Sequence, residues 1–113
     1  MPRDRQAILV TGISGNLGQR LAPLLADYRV LGIDLLPPRR GLANLCFESL
    51  NLGEREAEKR LTLLLQRYEV EIVIHLAFVF DPVKTGVTQV DKMWAINVQG
   101  TRRLLEAVAR VNQ

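Results

Sequence analysis

Three evenly spaced glycines, Gly12, Gly15 and Gly18, stand between the run AILVT at Ala7–Thr11 and a helix-patterned segment. A short apolar, β-branched run that stops at a glycine reads as a buried strand. From Asn16 to Asp27, Leu17, Leu21, Leu24 and Leu25 fall at i, i+4, i+7 and i+8, the spacing of one helical face. Pro23 lies inside that helix and is expected to kink or shorten it. A strand turning through glycine into a helix opens a βα unit. The next strand of such a unit runs parallel to the first.

The rest of the chain repeats the alternation, without internal repeats or low-complexity segments. Arg29–Asp34 reads as a second strand, and Leu35–Asn44, with two prolines and a glycine, as a loop. Cys46–Leu50 reads as a third strand. Asn51-Leu-Gly-Glu54 has the N-x-x-E spacing of a helix start. That helix is expected to reach about Tyr68, with Ala57, Leu61, Leu64, Leu65 and Tyr68 on one face. Val70–Leu76 is nearly all apolar, the pattern of a strand buried on both faces. Phe78–Thr88 reads as loop and Asp91–Val111 as a last helix. The expected fold is α/β: a Rossmann-type doubly wound parallel sheet of about four strands, in the order 3-2-1-4, with three helices. Ligands of such a sheet bind beyond the carboxyl ends of its strands, where the strand order reverses.

With 113 residues the chain forms one domain and not two. The net charge of +3 is spread over short pairs such as Arg39-Arg40 and Arg102-Arg103, which argues for solvated faces and against nucleic acid. No segment has the roughly 20 apolar residues of a membrane span, and the N-terminus lacks a secretory apolar core. Cytoplasm is the expected compartment. Cys46 is the only cysteine and His75 the only histidine, so neither a disulfide within the chain nor a metal site is expected. Cys46 is expected to be a buried thiol.

The glycines suit an anion. Gly12 permits the tight turn, Gly15 lets a pyrophosphate approach the backbone, and Gly18 lets the helix pack closely. The first-turn amides then face the phosphates at the positive end of the helix dipole. The spacing G-x-x-G-x-x-G is not that of a P-loop, since no Gly-Lys-Ser/Thr follows. Asp34 ends the second strand, 16 residues past Gly18. There a carboxylate accepts both ribose hydroxyls of an adenosine and repels a 2′-phosphate, which favours NAD over NADP. Arg39 and Arg40 follow, and either could instead pair with a 2′-phosphate.

In this context the sequence resembles the extended short-chain dehydrogenase/reductase family, the NAD-dependent epimerases and dehydratases. TGISGNLG at Thr11–Gly18 is similar to the family's T-G-x-x-G-x-x-G, and GID at Gly32–Asp34 to its adenosine-ribose acid. HLAF at His75–Phe78 resembles the fourth-strand H-x-A-A, and NVQGTRRLLEA at Asn97–Ala107 the helix N-V-x-G-T-x-x-L-L-E-A. The resemblance implies a cofactor loop of Gly12, Ser14, Gly15, Asn16, Leu17 and Gly18, with the amides of Gly15, Asn16 and Leu17 on the pyrophosphate and Asp34 on the adenosine ribose. It places Leu76 and Ala77 along the path to the nicotinamide ribose, and Asn97 beneath the nicotinamide end. Asn51-Leu52 stands where the family has an acid and a leucine beside adenine; Asn51 either bonds the adenine amino group or caps the next helix. Phe78 replaces a small residue and would narrow the groove. His75 reads as a satisfied core histidine rather than a general base. Met93 and Trp94 read as packing residues.

The family's proton transfer uses Tyr-x-x-x-Lys with a nearby Ser or Thr. Four residues after Tyr28 and Tyr68 stand Gly32 and Ile72, so neither tyrosine fits, and no catalytic residue is expected within the chain. The resemblance implies the amino-terminal part of an NAD-dependent oxidoreductase, truncated before the Tyr-x-x-x-Lys region. Its substrate in the complete enzyme would be a small hydroxyl- or keto-bearing molecule such as a nucleotide sugar. Two other readings stay open: a non-catalytic NAD(P)-binding or sensing module, and an interaction protein that pairs through an exposed sheet edge. The fourth strand is expected to present such an edge and to promote self-association.

Overall fold

A computed structural model describes residues 4–79 and 90–112. Most of the loop expected at Phe78–Thr88 lies outside the described residues. Two compact units are present, Met1–Leu50 with Arg67–Ala77, and Asn51–Gln66 with Phe78–Gln113.

The first unit is the sheet. Its strands are β1 (Ala7–Thr11), β2 (Arg29–Asp34), β3 (Leu45–Ser49) and β4 (Val70–His75), all parallel, in the order β3-β2-β1-β4. The Rossmann-type order expected from the sequence is therefore the observed one. Thr11 lies abreast of Ile33 on one side and His75 on the other, so the carboxyl ends of β1, β2 and β4 finish level. A register shift between Ala7 and Ile8 leaves Glu71 as an extra residue on β4.

All five residues of β1 are buried, as a central strand requires. β4 stands at the edge, as the expected order requires, and among the described residues no strand pairs with its outer side. Its expected burial on both faces is not observed: Glu71 and Ile72 are exposed and its other residues half-buried.

Helix α1 (Asn16–Leu21) passes into a 3-10 turn at Ala22–Leu25. Pro23 accounts for the change, because it removes the N–H that would continue the α-helical ladder. The buried positions are Gly18 and Ala22, while Leu17 and Leu24 are 61% and 79% exposed. The expected leucine face is therefore wrong for those two residues. Small residues face inward because the helix lies close to the turn that precedes it.

That turn is held by Ile13, which is fully buried although it belongs to a loop. Its side chain occupies the space above Gly32, where a Cβ would stand 2.8 Å from Ile13 Cγ1. Ile13 joins Ile8, Val10, Ala22 and Val30 in the core of this unit, with Tyr28 packed against them. Cys46 is half-buried rather than buried, and Tyr68 donates its hydroxyl toward Cys46 Sγ at 3.9 Å.

The second unit holds most of α2 (Ala57–Arg67), then α3 (Val90–Trp94), a π-helical segment (Ala95–Gln99) and α4 (Gly100–Val111). In α2, Ala57, Leu61, Leu64 and Leu65 are buried as expected. Its start is six residues later than the Asn51 signal. Asn51 Oδ1 accepts from Gly53 N–H at 2.8 Å and Asn51 O from Glu54 N–H at 3.1 Å, which makes a turn ahead of the helix. The last helix is interrupted by π geometry, which its sequence does not announce. Trp94 is 60% exposed, contrary to its expected packing role. Arg103 departs from a solvated pair, since its Nη1 donates to Leu52 O at 2.9 Å.

A Cβ at Gly18 would clash with the Gly12 carbonyl oxygen and stand 2.7 Å from that of Ile13. Both obstacles are backbone and cannot rotate away. Gly18→Ala should therefore lower unfolding free energy by about 2 kcal/mol or more. Gly15→Ala, whose Cβ would meet only Gly12 O at 3.3 Å, should cost less than about 1 kcal/mol. Urea denaturation of the two variants checks the contrast.

Candidate functional site

The chain leaves β1 at Thr11 and turns at once. Gly12 has φ +74°, and its N–H donates to Ile33 O at 2.8 Å. A Cβ there would stand 2.8 Å from both Ala77 N and Leu76 C, so the turn lies directly against the end of β4. Only glycine meets both demands.

Gly15 N–H donates back to Gly12 O at 3.1 Å, which closes the turn. Gly15 is the N-cap of α1 in extended conformation and brings no side-chain oxygen to the first turn. Gln19 N–H donates to Gly15 O at 2.9 Å. Asn16 and Leu17 open α1, both residues are exposed, and their amides are among the first-turn N–H groups that have no intrahelical acceptor. Gly15, expected to donate to a pyrophosphate, is thus already engaged within the turn. Among the described residues a Cβ at Gly15 would meet only Gly12 O, at 3.3 Å, a milder demand than at Gly12 or Gly18. Gly15 is exposed, as close approach of an anion to the backbone requires.

Asp34 is drawn into the same place. Its Oδ2 accepts from Ser14 N–H at 3.0 Å and its Oδ1 from Leu35 N–H at 2.7 Å. The carboxylate at the end of β2 is therefore fixed beside the glycine turn, with lone pairs remaining on each oxygen. The loop after Asp34 is tied to the turn as well. Ser14 Oγ donates to Leu36 O at 2.6 Å, and Gln19 Nε2 donates to Ser14 O at 2.9 Å while its Oε1 accepts from Arg39 N–H at 3.3 Å. The side chains of Arg39 and Arg40 are exposed. Gln19 was not singled out in the sequence, although its place one turn after Gly15 gives it reach back to the loop.

Thr11 joins the turn to β4. Its Oγ1 accepts from Leu76 N–H at 3.0 Å and Ala77 N–H at 3.2 Å, and it lies 2.6 Å from His75 Nδ1. Leu76 and Ala77 thus come together with Gly12. His75 is bonded as expected but half-buried, not a core residue. Burial pushes its pKa below the ordinary imidazole value.

The remaining expected residues belong to the second unit. Leu52 is buried, and Asn51 is engaged in its turn with Gly53. Asn97 sits within the π-helical segment. Its Oδ1 accepts from Val79 N–H at 2.6 Å and its Nδ2 donates to Val79 O at 2.8 Å, so the amide fastens the chain two residues beyond Ala77. Phe78 is 58% exposed.

Tyr28 packs against the core. Burial together with the Cys46 thiol pushes the Tyr68 phenol up, opposite to what a catalytic phenolate needs. Among the described residues no group of three or more His, Cys, Asp or Glu could hold a metal, and no helix is long and apolar enough to cross a membrane.

The model of the NAD-dependent epimerase/dehydratase family matches residues 8–113. The chain belongs to that family. Among curated relatives of this family member is the dTDP-4-dehydrorhamnose reductase of Aggregatibacter actinomycetemcomitans, 27% identical over 108 residues, or 93% of this chain and 31% of the reductase. Among solved structures, WbmH of Bordetella bronchiseptica, in complex with NAD+, is 23% identical with a TM-score of 0.74 over 95% of this chain and 36% of WbmH. Uronate dehydrogenase from Agrobacterium tumefaciens is 19% identical with a TM-score of 0.75 over 95% of this chain and 37% of the enzyme. These two likenesses concern the fold. The chain spans about a third of the length of each of these relatives.

His75 gives stability a pH dependence. The folded state holds the imidazole neutral, so its contribution is complete above the ordinary histidine pKa of about 6.5. It is lost as pH falls below that value, because the unfolded chain then binds the proton more readily. The melting temperature of wild type should fall more steeply below about pH 6.5 than that of His75→Asn. Parallel curves would contradict the assignment.

Proposed function

We propose that this chain is the dinucleotide-binding part of an oxidoreductase of the NAD-dependent epimerase/dehydratase type, acting on a hydroxyl- or keto-bearing substrate, with nucleotide sugars the favoured class. One observation carries the reading. The glycine turn and an acid 16 residues beyond it meet through the bond from Ser14 N–H to Asp34 Oδ2, at 3.0 Å. It supports a site in which the first-turn amides of α1 and the Asp34 carboxylate, at one end of the sheet, serve one ligand beside the exposed Gly15. The domain then runs over residues 1–113 and contributes cofactor binding, not proton transfer.

The cofactor, when bound, supplies a hydride acceptor or donor. The amides of Asn16 and Leu17 face its pyrophosphate, with Gly12, Ser14, Gly15 and Gly18 shaping the loop. Asp34 accepts from the adenosine ribose, and its charge opposes a 2′-phosphate, which favours NAD over NADP. Leu76 and Ala77 line the path beyond Gly12. By family resemblance Asn51 and Leu52 take the adenine side and Asn97 the nicotinamide end. The sugar substrate rests on the reductase relative and the family, since no described residue recognises a sugar.

A second reading draws on β4. Its outer side lacks a partner strand among the described residues, and Ile72 is 38% exposed. Such an edge promotes pairing with another strand. It predicts self-association independent of NAD, weakened by Ile72→Lys. Sedimentation showing a monomer at all concentrations would remove this reading.

Fluorescence titration of NADH and NADPH tests the first. Gly15→Val and Asp34→Ala should each weaken NADH binding by about tenfold or more, the effect of losing a charge-assisted contact or filling the cradle. Asp34→Ala should also narrow the preference for NADH over NADPH. Unchanged affinity in both folded variants would overturn the assignment.

A further inference from the structure

The Thr11 hydroxyl has one proton and two lone pairs. It accepts from the amides of Leu76 and Ala77, at 3.0 and 3.2 Å, which uses both lone pairs. Its proton is then directed to its remaining neighbour, His75 Nδ1, 2.6 Å away. The bond therefore requires a bare Nδ1 and a proton on Nε2. A proton added at Nδ1 would face the hydroxyl proton across this short contact. Thr11 would have to turn a lone pair toward the imidazolium and withdraw it from an amide. Leu76 N–H also donates to Thr11 O at 3.0 Å, so the longer bond, to Ala77, is the first to be lost.

We propose that His75 is a positioning residue for the dinucleotide groove: neutral, it orients the Thr11 hydroxyl so that Leu76 and Ala77 are fixed against Gly12, and protonated, it releases them. The proposal rests on the reading of Gly12–Gly18 as a dinucleotide cradle. Its consequence for binding follows from contact at Gly12, where a Cβ would stand 2.8 Å from Ala77 N. A turn packed so closely cannot keep its shape when the segment beside it moves. Among the described residues, the charged groups on the elements packed against His75 are few. β1 and the turn at residues 12–15 carry no titratable side chain. On β4 itself Glu71 lies four residues away and accepts from Gln6 Nε2 at 3.0 Å. Asp34, on β2, is separated from His75 by β1. Burial lowers the imidazole's pKa, in keeping with a neutral ring at neutral pH.

Calorimetric titration of the chain with NAD+ between about pH 5 and pH 8 tests this, alongside imidazole 15N NMR and amide exchange. The single histidine makes the imidazole signal unambiguous. Wild type should show the Nε2–H tautomer at neutral pH and lose about three- to tenfold in NAD+ affinity as His75 titrates, the range of one lost hydrogen bond. His75→Asn, which keeps an acceptor near the Nδ1 position but does not titrate, should bind with a flat pH profile. Thr11→Ser should keep the wild-type profile, and Thr11→Val should lose it.

Equal pH profiles for wild type and His75→Asn, or a proton on Nδ1 at neutral pH, would overturn the proposal. Absence of NAD+ binding at every pH would overturn the cradle reading instead. The latch is then judged by exchange alone: faster exchange at Ala77 as His75 titrates supports it, and unchanged protection refutes it.

Discussion

The carboxyl edge of the sheet depends on how closely the backbone at Gly12 approaches Leu76 and Ala77. This approach needs a residue without a side chain at φ +74°, and it needs Thr11 beneath it to accept the Leu76 and Ala77 amides. Once β1 and β4 are joined in this way, the turn has one path into α1. Gly18 then packs on the carbonyls of Gly12 and Ile13, and Ile13 fills the space that Gly32 leaves on β2. Sheet register, turn and helix start are thus parts of one packing arrangement.

Electrostatics follow from that arrangement. Ser14 and Leu35 aim their amides at the two oxygens of Asp34, so the carboxylate is oriented before any ligand arrives. Orientation in advance reduces what binding must spend on ordering side chains. The distinction among the glycines points the same way. Gly12 and Gly18 are required by close backbone contacts, and Gly15 meets the mildest contact of the three and is exposed. The proposed dinucleotide site is in keeping with family membership and the Rossmann order.

The central strands and their order were legible in the sequence because β1 and β2 are short, β-branched and fully patterned for burial. The meeting of the glycine turn with Asp34 was legible because strand, glycine spacing and acid occur together. Other features were hidden for physical reasons. Asn51 and Glu54 have the spacing of a helix cap, yet the Asn51 side chain closes a turn on Gly53, and α2 begins only at Ala57. Leu17 and Leu24 fit a helical face, but close packing of α1 selected the small Gly18 and Ala22. The π-helical segment at Ala95–Gln99 depends on a hydrogen-bond shift that has no residue signature. The Thr11–His75 bond depends on β1–β4 register, which strand order alone does not specify. β4 misled in a different way: its apolar composition suggested burial on both faces, whereas Glu71 and Ile72 are exposed.

Amide chemical-shift mapping on addition of NAD+ tests the central claim most directly, because it reports on every backbone group at once. The account predicts that the largest changes fall on Asn16 and Leu17, with further changes at Ser14, Leu35 and Ala77, whose amides adjoin the cradle and Asp34. Changes concentrated elsewhere, or none at saturating NAD+, would contradict the claim that the glycine turn and Asp34 form a dinucleotide site.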